Sequence, residues 1–111
     1  MFDRITKMGY TIKSVGGNFN CRNNELTSLE HAPESVDGNF NCSNNNLTSL
    51  KGAPLKIGRD GYFNCSDNNL TSLEHAPKSV GGYFNCRNNG KQFTKEEVKA
   101  VCDVKGDIYV W

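Results

Sequence analysis

The chain has 111 residues, about the length of one domain, and a formal net charge of +1. With so small a net charge, the protein as a whole has no strong electrostatic field that would attract nucleic acid or an anionic membrane. No apolar run reaches the roughly 18–20 residues of a membrane span, and the opening residues M-F-D-R-I do not resemble a signal peptide. Because only 36% of the residues are hydrophobic and fifteen are asparagine, an ordered chain must place its apolar residues at regular positions.

Residues 1–14 are predicted to form an N-terminal cap. A first strand over residues 3–7 is followed by a turn at Met8 and Gly9, and the next residues alternate at Tyr10, Ile12 and Ser14. This pattern is typical of a β-hairpin.

Residues 15–93 form a sequence repeat with the unit V-x-G-x-F-N-C-x-x-N-x-L-T-S-L-x-x-A-P. Its F-N-C triplets are spaced by 21, 23 and 21 residues. They end at Cys21, Cys42, Cys65 and Cys86. Three full copies (15–35, 36–56 and 57–79) precede a partial fourth copy (80–93). So short a period is typical of one coil of a solenoid, and we predict a single-domain, mainly β solenoid over residues 1–111.

The apolar positions of the repeat predict the core. The Phe and Cys of each triplet are two residues apart, so on a strand both point to one side. The Leu pair and the Ala follow on the returning arc, where the Pro excludes a helix. We predict a leucine-rich-repeat-like, right-handed coil with a parallel sheet. A glycine precedes each strand where positive φ or close backbone approach is needed: Gly17, Gly38, Gly61 and Gly82.

One asparagine recurs three residues after each Cys, at Asn24, Asn45, Asn68 and Asn89. Its amide can bond to turn backbone groups of its own coil and of the next, which would form an asparagine ladder in the stacked coils. The alternative is that asparagine only favours left-handed turn geometry here.

Residues 94–111 are predicted to cap the C-terminal end. T-K-E-E, beginning at Thr94, is a capping box that opens a helix over about residues 95–103, with Val98, Val101 and Cys102 on one face. Gly106 ends a turn, and D-I-Y-V-W over residues 107–111 reads as a final strand. Such a helix-strand cap would shield the last coil and prevent end-to-end polymerisation.

The segment C-S-N-N-N-L-T-S-L-K-G-A-P (42–54) resembles the short leucine-rich repeats of secreted bacterial effectors. It departs from them in its Cys, its Phe and an extra residue with Gly before the strand. This variant, together with F-T-K-E-E-V-K-A-V-C-D-V-K-G-D-I-Y-V (93–110), is similar to small leucine-rich-repeat-like proteins of tailed bacteriophages. The resemblance implies a protein made in the cytoplasm of an infected bacterial host, for takeover or counter-defence.

The reactive residue types form no recognisable catalytic pattern. Cysteines 21–23 residues apart lack the close pairs of a zinc site, so we expect reduced core thiols, with a redox or metal role as the alternative. His31 and His75 follow Glu30 and Glu74 and are interpreted as solvated residues of the outer arc. We predict that the protein is not an enzyme and that it has no metal site or cofactor.

The residues that flank Phe and Cys should face outward in three columns. The candidate partner-binding residues are Asn18, Asn39, Tyr62 and Tyr83 in the first column, Asn20, Asn41, Asn64 and Asn85 in the second, and Arg22 and Arg87 at the ends of the third. Arg59 joins them from a two-residue insertion in the third copy. Tyr, Arg and Asn are frequent in recognition surfaces, and the alternative is a merely solvated face.

These residues predict a non-catalytic module that binds a host or phage protein and inhibits or redirects it. The alternatives are a domain that binds a glycan or a nucleotide-like ligand, and a self-associating structural component. Nucleic acid is the least favoured partner, because only three arginines could form a basic track. We expect no membrane partner and a monomer or weak homodimer.

Overall fold

A computed structural model describes residues 13–111 of the chain. The predicted N-terminal hairpin lies almost entirely outside these residues. The described chain is a mainly β solenoid of about four coils, built from two parallel sheets of five strands each and one short helix. The predicted fold class is thus confirmed.

Each coil contributes one two-residue strand to each sheet. The first sheet, in spatial order, contains β1 (Ser14–Val15), β3 (Ser35–Val36), β5 (Lys56–Ile57), β7 (Ser79–Val80) and β9 (Asp103–Val104). The second contains β2 (Phe19–Asn20), β4 (Phe40–Asn41), β6 (Phe63–Asn64), β8 (Phe84–Asn85) and β10 (Ile108–Tyr109). The helix, α1 (Lys95–Val101), forms part of the connection between β8 and β9.

Strand register aligns equivalent repeat positions in both sheets. Phe19 pairs with Phe40, which pairs with Phe63, and the series continues through Phe84 to Ile108. The repeat valines pair in the same way, so a second sheet exists where the sequence predicted only a return to the core. The reason is that stacking brings every extended segment of a coil beside its copy, and not only the F-N-C strand.

The core lies between the two sheets and consists of stacked repeat residues. The Phe, Cys and Val columns of the repeat are buried apart from Phe19 and Val15, and the core continues into α1 through Val98. The rings of Phe40 and Phe63 are nearly parallel, with centroids 5.6 Å apart. One coil alone would leave these rings in water on both sides, so the coils stabilise one another.

The glycine before the second, third and fourth F-N-C strands (Gly38, Gly61 and Gly82) is required by close backbone approach, whereas a Cβ on Gly17 would meet no described atom. A Cβ added to Gly61 would lie 2.1 Å from the carbonyl oxygen of Gly38 in the preceding coil. Among the described glycines only Gly52, at another repeat position, has a positive φ. Of the two reasons predicted for this column, close approach is therefore the correct one.

The asparagine ladder is confirmed. The Asn45 Nδ2 lies 3.1 Å from the Cys21 carbonyl oxygen and 2.9 Å from that of Cys42, and its Oδ1 accepts from the backbone N–H groups of Asn24 and Leu26, both at 2.9 Å. Asn68 and Asn89 repeat the two carbonyl contacts, and each accepts from one backbone N–H, that of Leu47 and of Leu70. The bonds join each coil to the preceding coil and not to the following one.

The alternative explanation for asparagine applies one residue earlier in the chain. Four equivalent residues have φ between 53° and 58°, in the left-handed region that Asn and Asp tolerate best. They are Asn23, Asn44, Asp67 and Asn88. The two consecutive positions after the F-N-C triplet thus have separate roles, the first in turning the backbone and the second in joining coils.

The C-terminal helix begins with the predicted capping box. Thr94 Oγ1 accepts from the backbone N–H of Glu97, and the Glu97 carboxylate accepts from the Thr94 backbone N–H. The helix ends at Val101, earlier than predicted, because Cys102 is extended (φ −145°) and β9 follows it. Residues 103–110 are therefore a degenerate fifth copy, in which Val104 and Ile108 occupy the Val and Phe positions.

Candidate functional site

The first outward column changes from asparagine to tyrosine along the solenoid. Asn18 Oδ1 accepts from the Asn39 backbone N–H at 2.9 Å, and Asn39 Oδ1 accepts from that of Tyr62 at 3.0 Å. Asn18 is exposed, whereas Asn39, Tyr62 and Tyr83 are half-buried. The two asparagines thus use their acceptor oxygens to join neighbouring coils, and the tyrosine rings are the part of this column that offers contact area.

The second column consists of asparagines that stabilise turns. In Asn20, Asn41, Asn64 and Asn85 the Oδ1 accepts from the backbone N–H two residues later, at 3.0–3.1 Å. Asn41 and Asn85 are only 7% and 4% exposed. The prediction that this whole column faces solvent is therefore wrong for these two residues, because the neighbouring coils and side chains cover them. Asn20 is exposed and Asn64 is half-buried.

The arginines lie at different places on the molecule. Arg22 is exposed near one end of the third column, Arg87 is half-buried three coils away, and the serines between them are buried. Arg59 is exposed on the insertion, where the backbone of residues 58–60 packs against Gly81 of the next coil. The structure therefore separates the three arginines, and it brings only Arg87 into contact with aromatic rings.

An aromatic cluster lies at the C-terminal end of this face. Tyr62 and Tyr83 are stacked with centroids 4.6 Å apart and an angle of 10° between the rings. Tyr83 meets Tyr109 edge-on at 5.3 Å, and Tyr109 meets Trp111 in the same way at 5.5 Å. Trp111 is 62% exposed. We use the name aromatic cluster for these four residues together with Arg87.

Tyr109 and Trp111 were absent from the predicted site, although the final strand itself was predicted. The missing information was its register. Tyr109 pairs with Asn85, so it belongs to the second outward column, and Trp111 follows it by two residues. The register can be read from the sequence by aligning V-G-G-Y-F-N-C (80–86) with V-K-G-D-I-Y-V (104–110), because Val, Gly and the large apolar residue recur at matching positions.

Arg87 is held in place by several contacts. Its Nε donates to Asn85 Oδ1 at 3.2 Å, and its guanidinium carbon lies 5.5 Å and 5.7 Å from the ring centroids of Tyr109 and Trp111. Within residues 13–111 it forms no salt bridge. Burial, and secondarily the neighbouring phenols, raise the pKa of Tyr83, while the charge of Arg87 opposes this rise. Among the described residues the cluster therefore contains one cation without a salt bridge, while the carboxylate of Asp107 accepts from the Tyr109 hydroxyl at 3.5 Å.

The cysteines have the environment expected of core residues. All five are buried free thiols, and burial raises the pKa of Cys21, Cys86 and Cys102 to about 12. Burial also raises the pKa of Cys42 and Cys65 well above the ordinary thiol value, with the neighbouring thiols as the next cause. In the described part of the chain no group of three His, Cys, Asp or Glu side chains is arranged to hold a metal ion.

The histidines lie in exposed turns of the outer arc. His31 and His75 each lie 3.7 Å from the preceding glutamate and have φ of 73° and 72°. Gly52, at the equivalent position of the second copy, has φ of 94°. The exchange of His for Gly follows from a left-handed turn, which glycine adopts most readily.

Comparison of the chain with protein-family models, with curated proteins and with solved structures found no match in any of the three. No helix among residues 13–111 has the length and apolar character required to cross a bilayer.

Proposed function

We propose that the protein is a non-catalytic binding module that recognises another protein through its outward sheet face. The aromatic cluster carries this proposal, because Tyr, Trp and Arg are the residues that most often dominate the energy of protein interfaces. Tyr and Trp bury a large area with little loss of side-chain entropy. Their neighbours are fixed by ladder and turn hydrogen bonds, so binding requires little reordering of the scaffold.

The same geometry favours a protein partner over a glycan or a nucleotide-like ligand. Such ligands require several free hydrogen-bonding groups around the rings. Asn39, Asn64 and Asn85 of this face already use their Oδ1 atoms for backbone N–H groups, so these side chains mainly offer their Nδ2 donors. A thermal-shift screen against glycans and nucleotides tests this choice, since we expect no stabilisation by either class.

We further propose, from the resemblance to small phage proteins, that the partner is a bacterial host protein that is inhibited or redirected in the cytoplasm. This part of the proposal depends on the repeat variant and on the C-terminal segment, and not on the aromatic cluster. It makes bacterial lysate the appropriate source in which to search for the partner.

Affinity capture from bacterial lysate tests the proposal with three forms of the chain. We expect the wild type and an outer-arc control, Thr48→Ala/Thr71→Ala, to retain the same protein. We expect Tyr62→Ala/Tyr83→Ala to lose it, with at least about a tenfold increase in Kd once the partner is purified. If the three forms capture identical proteins, or none, the proposal is wrong.

A further inference from the structure

The guanidinium of Arg87 points to the chemistry of the partner. Arginine has five N–H donors in a planar fork that matches a carboxylate. Asn85 accepts from Nε, and the terminal nitrogens form no hydrogen bond or salt bridge with the described residues. A half-buried cation beside Tyr109 and Trp111 has lost part of its hydration, so it binds a carboxylate more strongly than a fully exposed arginine would.

We propose that the aromatic cluster binds an acidic segment of the partner protein, in which an Asp or Glu carboxylate pairs with Arg87 and an adjacent apolar side chain packs on Tyr83, Tyr109 and Trp111. This inference deepens the function proposed above and depends on it. Tyr109 and Trp111, which meet edge-on, place two apolar rings side by side next to the guanidinium. The site therefore selects a single carboxylate beside an apolar group.

A nucleic acid strand is the less suitable occupant of the same surface. Single-stranded nucleic acid also stacks on aromatic rings, but it requires a series of cations that follow the phosphates. Arg22 lies three coils from Arg87, a distance of about 14 Å at ~4.8 Å per coil. Between them stand the uncharged, buried Ser43 and Ser66. One local cation matches one carboxylate better than it matches a polyanion.

Selection from a random library of twelve-residue peptides, followed by titration of synthetic peptides, tests the inference. Trp111 is the only tryptophan of the chain, so its fluorescence reports binding at the proposed site. We expect enriched peptides to carry Asp or Glu beside a bulky apolar residue. Replacing that acid by its amide in the peptide, or Arg87→Gln in the protein, should each weaken binding by at least about tenfold.

The two changes should not be additive, because they remove the same ion pair. Lys78→Gln, the same loss of charge on the outer arc, should keep the Kd within about twofold, and circular dichroism verifies that each variant is folded. Enriched peptides without acids, a Kd unchanged by Arg87→Gln, no enrichment, or tighter binding of oligo(dT) or inorganic phosphate would each overturn the inference. If Tyr62→Ala/Tyr83→Ala abolishes peptide binding while Arg87→Gln does not, the proposed function stands and only this inference fails.

Discussion

Replacement of Asn45 by alanine should strongly destabilise the solenoid. Asn45 is 7% exposed; its Oδ1 accepts two backbone N–H groups and its Nδ2 lies 2.9–3.2 Å from three carbonyl oxygens. Two donors and two accepted bonds at about 1 kcal/mol each give a loss of about 4 kcal/mol. This is a large fraction of the roughly 5–15 kcal/mol that stabilises a typical domain. Urea denaturation followed by circular dichroism measures the loss.

Asn46→Ala is the matched control, because Asn46 is exposed and its side chain forms no hydrogen bond with the described residues. Its cost should stay within about 0.5 kcal/mol. Asn45→Asp keeps the shape of the side chain but turns a donor into an acceptor that faces three carbonyl oxygens, so it should be at least as harmful as Asn45→Ala. Equal stability of Asn45→Ala and Asn46→Ala would show that the ladder contributes nothing and refute the reasoning.

Three further predictions concern stability and reactivity. The Cβ of Gly61→Ala would lie 2.1 Å from the Gly38 carbonyl oxygen, so this variant should lose more than about 2 kcal/mol of unfolding free energy in urea denaturation. Gly16→Ala is the control, because its Cβ would meet no described atom; it should lose far less, and similar losses for the two variants would contradict the prediction. Thr94→Ala removes the capping box and should lower the free energy of unfolding by about 1 kcal/mol. The variant should therefore melt at a lower temperature, and an unchanged melting temperature would contradict the prediction. Because burial raises the thiol pKa values, to about 12 for Cys86, a thiol reagent at pH 8 should react with the five cysteines only after the protein unfolds, and rapid labelling of the native protein would contradict this. For the same reason the free energy of unfolding should fall as the pH rises above the unfolded thiol pKa of about 9, and a stability that stays constant there would contradict the prediction.

The candidate site was predictable from the sequence only in part. Alternation along the F-N-C strands correctly placed Tyr62, Tyr83 and Arg87 on the outward face, because strand periodicity is a local property. Alternation could not show that Asn41 is buried, since the atoms that cover it come from neighbouring coils. It also could not place Trp111 beside Arg87, because that contact depends on the register of a strand more than twenty residues away.

The repeat by itself determined that the protein is a solenoid and which residues form its columns. Fixed spacing places the same residue type at the same point of every coil, and a coil that cannot bury its apolar residues alone must stack. Only the tertiary structure decided that two sheets form, that residues 103–110 complete a fifth copy, and that Tyr109 and Trp111 meet beside Arg87. These outcomes depend on how closely the backbones of adjacent coils approach and in which register, and both are set by packing between residues far apart in the chain.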